Sequence, residues 1–102
     1  MKRDAFPELR RFCEGYLHED FVQEHGTAQG ALRAFEEDAS KFERRRLAQE
    51  AERMLTIVES EDLDEIRRLL AQLGSRWRPP SRAAAMKFLA AAAGSTPPAN
   101  TN

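Results

Sequence analysis

Apolar residues recur along this chain at spacings of three and four rather than two, the pattern of helices that each bury one face. Phe6, Leu9, Cys13, Tyr16 and Leu17 make the first such stripe and predict a helix from near Phe6 to Phe21, with Pro7 tolerated in its opening turn. Gly15 weakens that helix slightly. His25-Gly26 then interrupts the pattern. Thr27 has the chemistry of an N-cap, and Ala28, Ala31, Leu32 and Phe35 define a short second helix ending near Asp38.

Ser40-Lys41-Phe42-Glu43 has the form of a capping box, in which the serine satisfies an orphan amide and the glutamate reaches back to the cap. It opens a third, longer helix, with Phe42, Leu47, Ala51, Met54, Leu55 and Val58 assigned to its apolar side and Arg44, Arg45 and Arg46 to its solvated side. Asp62-Leu63-Asp64-Glu65 is a second box-like start. Leu63, Ile66, Leu69, Leu70 and Leu73 behind it form the clearest stripe in the chain, and Gly74 is the expected left-handed stop. Pro79-Pro80 forbids regular helix over 74–81, so this segment reads as a connector fixed by its one large side chain, Trp77. Ser81 caps a last helix that runs through Met86, Phe88 and Leu89 to about Ala93.

Residues 94–102 hold nothing to bury and are expected to form a disordered tail. β-branched residues are sparse, and no stretch alternates apolar with polar over a useful length. The expected fold is therefore all-α: a compact bundle of about five helices in a single domain over 1–93, as the total of 102 residues also favours.

Charge adds a polarity to this picture. The formal net charge is only -1, so no global field draws the chain to nucleic acid or to an anionic membrane. Residues 1–40, however, carry nine acidic against five basic residues, whereas beyond residue 70 there are four basic residues and no acid. No apolar run approaches the roughly 20 residues that span a bilayer, the first residues lack the apolar stretch of a signal peptide, and a single cysteine forms no internal disulfide. A cytoplasmic protein with no membrane partner is expected. The charged surface argues against a large obligate interface and for a monomer or weak dimer.

Candidate chemistry is thin. His18, Glu19, Asp20 and His25 are the one cluster with ligand-type side chains, but the helical zinc motif spaces its histidines four apart, and here they are seven apart with a helix end expected between them. His18 and Asp20 read instead as capping or packing groups at the end of the first helix. Cys13 lies in an apolar stripe with no base set against it. There is no Gly-rich phosphate loop and no serine elbow. The expectation is no catalytic residue, no metal and no cofactor: a binding protein rather than an enzyme. Arg44-Arg45-Arg46 with Lys41, and Arg76-Trp77-Arg78, raise the alternative of a helical nucleic-acid-associated regulator. Against it, Glu43, Glu50 and Glu52 on the same helix offset the attraction to phosphate, so no nucleic-acid partner is expected.

The order of features along the chain is more specific. Phe6-Pro7-Glu8-Leu9 leads to Tyr16-Leu17-His18-Glu19-Asp20-Phe21; a short acidic helix follows; then Leu73-Gly74-Ser75-Arg76-Trp77-Arg78-Pro79 precedes a final helix containing Phe88-Leu89. From about Phe6 to Leu89 this resembles the small helical immunity proteins of bacterial contact-dependent growth inhibition systems. That family shows a Tyr-x-His-x-Asp-aromatic segment and a Leu-Gly-x-x-aromatic-x-Pro turn, and this chain has both, differing in Phe21 where tryptophan is commoner and in its Ala-rich last helix.

The resemblance implies a protein that binds the C-terminal toxin domain delivered by neighbouring cells and blocks its active site or substrate surface. Many such toxins are nucleases. Carboxylates suit the cationic, phosphate-binding face of a nuclease, so Glu14, Glu19, Asp20, Glu24, Glu36, Glu37 and Asp38 are the candidate partner-binding residues. For Tyr16 to Phe21 and for Trp77, spacing favours packing over direct contact with a partner.

Overall fold

A computed structural model describes residues 5–94 and contains six helices, with no strand among the described residues. In chain order they are α1 (Pro7–Tyr16), α2 (Phe21–His25), α3 (Ala28–Asp38), α4 (Lys41–Val58), α5 (Leu63–Gln72) and α6 (Arg82–Ala92). Apart from Gly94, the tail expected over 94–102 lies outside the described residues.

The local start signals act as their chemistry predicts. Thr27 Oγ1 accepts the Gly30 N–H, Asp62 Oδ1 that of Glu65, and Ser81 Oγ that of Ala84, at 2.9, 2.9 and 3.0 Å. Ser40 and Glu43 form the reciprocal capping box, the Ser40 N–H donating to Glu43 Oε1 at 2.8 Å and the Glu43 N–H to Ser40 Oγ at 3.1 Å. Accepting the Ser40 N–H is the main reason the Glu43 carboxyl is held below its ordinary range. Gly74 closes α5 at φ +99°, a conformation that only glycine adopts without strain.

The sixth helix arises because the long first helix is broken. In a continuous helix the Leu17 carbonyl would accept the Phe21 N–H. Here it accepts the Arg76 N–H at 2.8 Å, and the Phe21 N–H turns to His18 instead, at 2.9 Å. The Asp20 N–H donates to His18 Nδ1 at 3.1 Å and stabilises the turn. The break therefore gives the connector after α5 a backbone partner.

One core is shared by all six helices: Leu9, Phe12, Cys13, Leu47, Met54, Ile66, Leu70, Phe88 and Leu89 are all buried within it. α4 and α6 pack on each other most extensively, α1 lies on α4 and α3, and α3 also touches α6. An aromatic chain runs through the centre, with Phe12 stacked on Phe88 and Tyr16 and set edge-on to Phe35. Phe42 corrects the expected apolar face of α4. It is 64% exposed, because a residue five positions before Leu47 sits about 140° around the helix from it; the Arg46 guanidinium lies over its ring at 5.6 Å.

Candidate functional site

The seven candidate acids, Glu14, Glu19, Asp20, Glu24, Glu36, Glu37 and Asp38, are all exposed. They come from α1, the turn after it, α2 and α3, and the fold holds them in three settings. Around the Tyr16–His25 pair, two of them are held by Tyr16 and His18. Tyr16 stacks on His25 with ring centres 5.8 Å apart, and its hydroxyl donates to Asp38 Oδ2 at 3.2 Å. Burial, then the hydrogen bond to Asp38, pushes the Tyr16 phenol above its ordinary value. On the other side of the stack, Glu24 Oε1 lies 3.1 Å from His18 Nε2 and 3.7 Å from His25 Nε2. Since His18 Nδ1 accepts from Asp20, the neutral ring carries its proton on Nε2 and donates it to Glu24.

Glu14 and Glu19 lie instead against cations. Glu14 pairs with Arg10 at 3.4 Å, and a Cβ built on Gly74 would meet Glu14 Cγ at 2.6 Å, so this side chain abuts the α5 stop. Glu19 reaches Arg76 Nη2 only at 4.0 Å, with both side chains more than half exposed. Such pairs are strongly screened and are worth at most about 1 kcal/mol. Of the remaining acids, Asp20 stands at the N-cap position of α2, and Glu36 and Glu37 sit on α3. Glu36 shares a groove with Gln29, Arg33 and Ala91 on the side toward α6, whereas Asp38 faces α1. The structure thus brings Glu24 and Asp38 to the two sides of one aromatic stack, leaves Glu14 and Glu19 beside the connector, and sets Glu36 on a different side of α3 from Asp38.

Two expectations about the histidines and the acids need correction. His18 and His25 do converge on a single carboxylate oxygen despite their spacing, because the turn over 17–20 folds α2 back beside the end of α1. Among the described residues, however, no group of three or more His, Cys, Asp or Glu side chains is placed to hold a metal ion. Glu50, counted among the acids that offset the arginine run, is buried, and its Oε1 accepts the Leu9 N–H at 2.7 Å. Glu8 is buried as well, with Arg11 Nη1 at 3.3 Å from it and 3.7 Å from Glu43. No short-range signal marks Glu50, whose partner lies 41 residues away.

The remaining candidates for chemistry are occupied with structure. Cys13 is fully buried, and burial, with the Glu14 charge adding to it, pushes its thiol up to about 12, far from a reactive thiolate. In the arginine run, Arg44 Nη1 donates to the Glu36 carbonyl at 3.0 Å and Arg46 covers Phe42. Trp77 is half-buried with its ring 5.0 Å from that of Phe88, the anchoring role its place in the connector predicts. No helix among the described residues is long and apolar enough to cross a membrane.

The seven exposed candidate acids thus sit on an all-helical domain, with Asp38 and Glu24 held by Tyr16 and His18 and Glu14 paired with Arg10. The chain belongs to the CdiI immunity protein family, whose sequence profile matches residues 5–95. Membership implies toxin-neutralising immunity exercised by binding a cognate toxin protein. Neither the curated proteins nor the solved structures compared with the chain gave a match.

Proposed function

We propose that this protein binds and neutralises the C-terminal toxin domain of a cognate contact-dependent growth inhibition effector in the cytoplasm of the cell that makes it, and that the toxin is a nuclease. The toxin-facing surface is formed from Glu14, Glu19, Asp20, Glu24, Glu36, Glu37 and Asp38. The observation that carries this reading is that all seven carboxylates are exposed on the acidic half of the chain. A nuclease must concentrate positive charge where it holds phosphate, and exposed carboxylates speed encounter with such a face and set its register.

The ordering of Glu24 by His18 and of Asp38 by Tyr16 supports the same reading. Side chains already held in place lose less freedom on association, so more of their interaction energy appears as affinity. Inhibition needs no chemistry from the immunity protein: occupying the cationic surface excludes the nucleic acid.

The test is co-purification with the C-terminal domain of the effector encoded beside this gene, together with survival of cells that express that domain. A stable complex and protected cells are the expected result. Death of cells that co-express both proteins refutes the proposal.

A further inference from the structure

Trp77 separates two surface grooves of different character. On one side Arg67, Ser75, Arg76 and Arg78 help to line a groove of about 510 Å³. On the other, Phe21, Val22, Ala28, Pro80 and Ala84 contribute to an apolar groove of about 460 Å³, with Lys87 also in its wall. Val22 is 60% exposed, an apolar side chain held out of the core. Arg76, Arg78 and Lys87 are exposed too, and among the described residues the one acid that reaches any of them is Glu19, at the 4.0 Å limit of contact.

Hydrogen bonds and ring packing hold the connector around Trp77. The Trp77 N–H donates to Ser75 Oγ, and that hydroxyl donates back to the Trp77 carbonyl, both at 3.1 Å. Arg67 Nε donates to the Pro79 carbonyl at 2.9 Å, the Arg76 N–H is tied to Leu17, and the indole packs on Phe88. A surface fixed in this way costs little ordering on association, and a tryptophan flanked by arginines is the composition in which interface energy concentrates.

We propose that the Trp77 surface is a second docking site, which takes an acidic segment of the toxin domain that also bears an apolar side chain; this rests on the toxin-neutralising reading above. The apolar anchor seats beside Val22 over Phe21 and Pro80, and carboxylates next to it pair with Arg76 and Arg78. Charge complementarity sets the class of occupant: this end of the chain is uniformly basic, opposite in sign to the acidic half, and the two surfaces meet where Glu19 faces Arg76. A protein segment is favoured over nucleic acid because the groove on the other side of Trp77 is lined by Phe21, Val22, Ala28, Pro80 and Ala84, with Val22 exposed, which suits an apolar side chain and gives a phosphate backbone no cation but Lys87.

The experiment measures affinity for the purified toxin domain with the full chain, the R76E/R78E variant and the separate Val22→Asp variant, each checked for an unchanged helical signal. All three substituted positions are exposed. Loss of affinity by about tenfold or more in both variants, with a flatter salt dependence for R76E/R78E, supports the site. If the toxin binds the unaltered chain and both variants within twofold, this site is refuted while the immunity reading stands. If the unaltered chain does not bind, both are refuted. Salt-sensitive binding of the unaltered chain to single-stranded DNA, abolished in R76E/R78E, assigns the groove to nucleic acid and overturns the proposal.

Discussion

The Glu50 carboxylate, from the middle of α4, caps the first turn of α1 by accepting the Leu9 N–H at 2.7 Å. Phe6 occupies the N-cap position of α1 and its side chain offers no acceptor, and Pro7 has no N–H to satisfy, so the orphan amide at Leu9 takes its acceptor from another helix. Arg53, three residues further along α4, donates to the Ala5 carbonyl at 2.9 Å and lies over the Phe6 ring. Together the two residues fasten the start of α1 and the two residues before it to α4.

Removing that cap has a defined cost. Glu50→Ala strands a buried N–H and is expected to lower stability by about 2–3 kcal/mol, while Glu50→Gln keeps an acceptor and costs about 1 kcal/mol less than that. Exposed Glu52→Ala is the control, expected within about 0.5 kcal/mol of the parent. Urea unfolding followed by helical signal measures all three, and an E50A midpoint equal to that of E52A would remove the cap from the account.

Gly74 carries a backbone demand that no other residue type meets cheaply. Gly74→Ala is expected to destabilise by about 1–2 kcal/mol, because the +99° φ is strained for an L side chain and the new methyl also displaces Glu14. Thermal melting of the variant tests this. A second variant that also shortens Glu14 to Ala should recover only the smaller part of the loss, since the backbone strain remains.

Cys13 should behave as a core atom group. With its thiol pushed up to about 12, the native protein is expected to resist a thiol-specific disulfide reagent at pH 8 and to react at once in denaturant. Rapid labelling of the folded protein would contradict the buried assignment.

Tyr16 is the only tyrosine, so alkaline titration of its absorbance reports one group. Burial and the Asp38 hydrogen bond raise its pKa, and ionisation is expected above the ordinary tyrosine value, moving down in Asp38→Asn. The sign for stability follows. Between the unfolded and folded values the native state retains a proton that the unfolded chain has lost, so this contribution is complete below the unfolded value and is lost as pH rises through the folded one. Unfolding free energy measured across that alkaline range should fall more steeply for the parent than for Tyr16→Phe.

The acidic surface makes a kinetic prediction. Reversing Glu36 and Glu37 to Lys should slow toxin association by about tenfold at low salt and flatten or invert its salt dependence, with little change in the fold because both side chains are exposed. Stopped-flow association at two ionic strengths measures it, and unchanged rates would exclude this part of α3 from the interface.

Much of the architecture was legible in the residues because it is decided over one helical turn. Caps at Thr27, Ser40, Asp62 and Ser81 act on amides three residues away, the Gly74 stop needs only the absence of a side chain, and the stripe from Ile66 to Leu73 follows from 3.6-residue periodicity. Phe42 was misplaced on the apolar side of α4 although its angular offset from Leu47 was already present in the sequence. The candidate acids were correctly read as surface groups, but their division among the Tyr16–His25 stack, the connector and the α6 side of α3 was not, since that division depends on how helices pack.

By itself the sequence determined an all-helical chain, the helix starts other than that of α2, the Trp77 connector and an acidic front set against a basic end, all properties of composition and of near neighbours. Tertiary structure alone decided that the first helix breaks at Leu17, that Glu50 is buried, that His18 and His25 share Glu24, and that Trp77 divides two grooves. The physical reason is common to all four. A backbone carbonyl, a buried carboxylate or an indole takes the partner that satisfies it in space, and for Leu17 and Glu50 that partner lies dozens of residues away, beyond the reach of any local pattern.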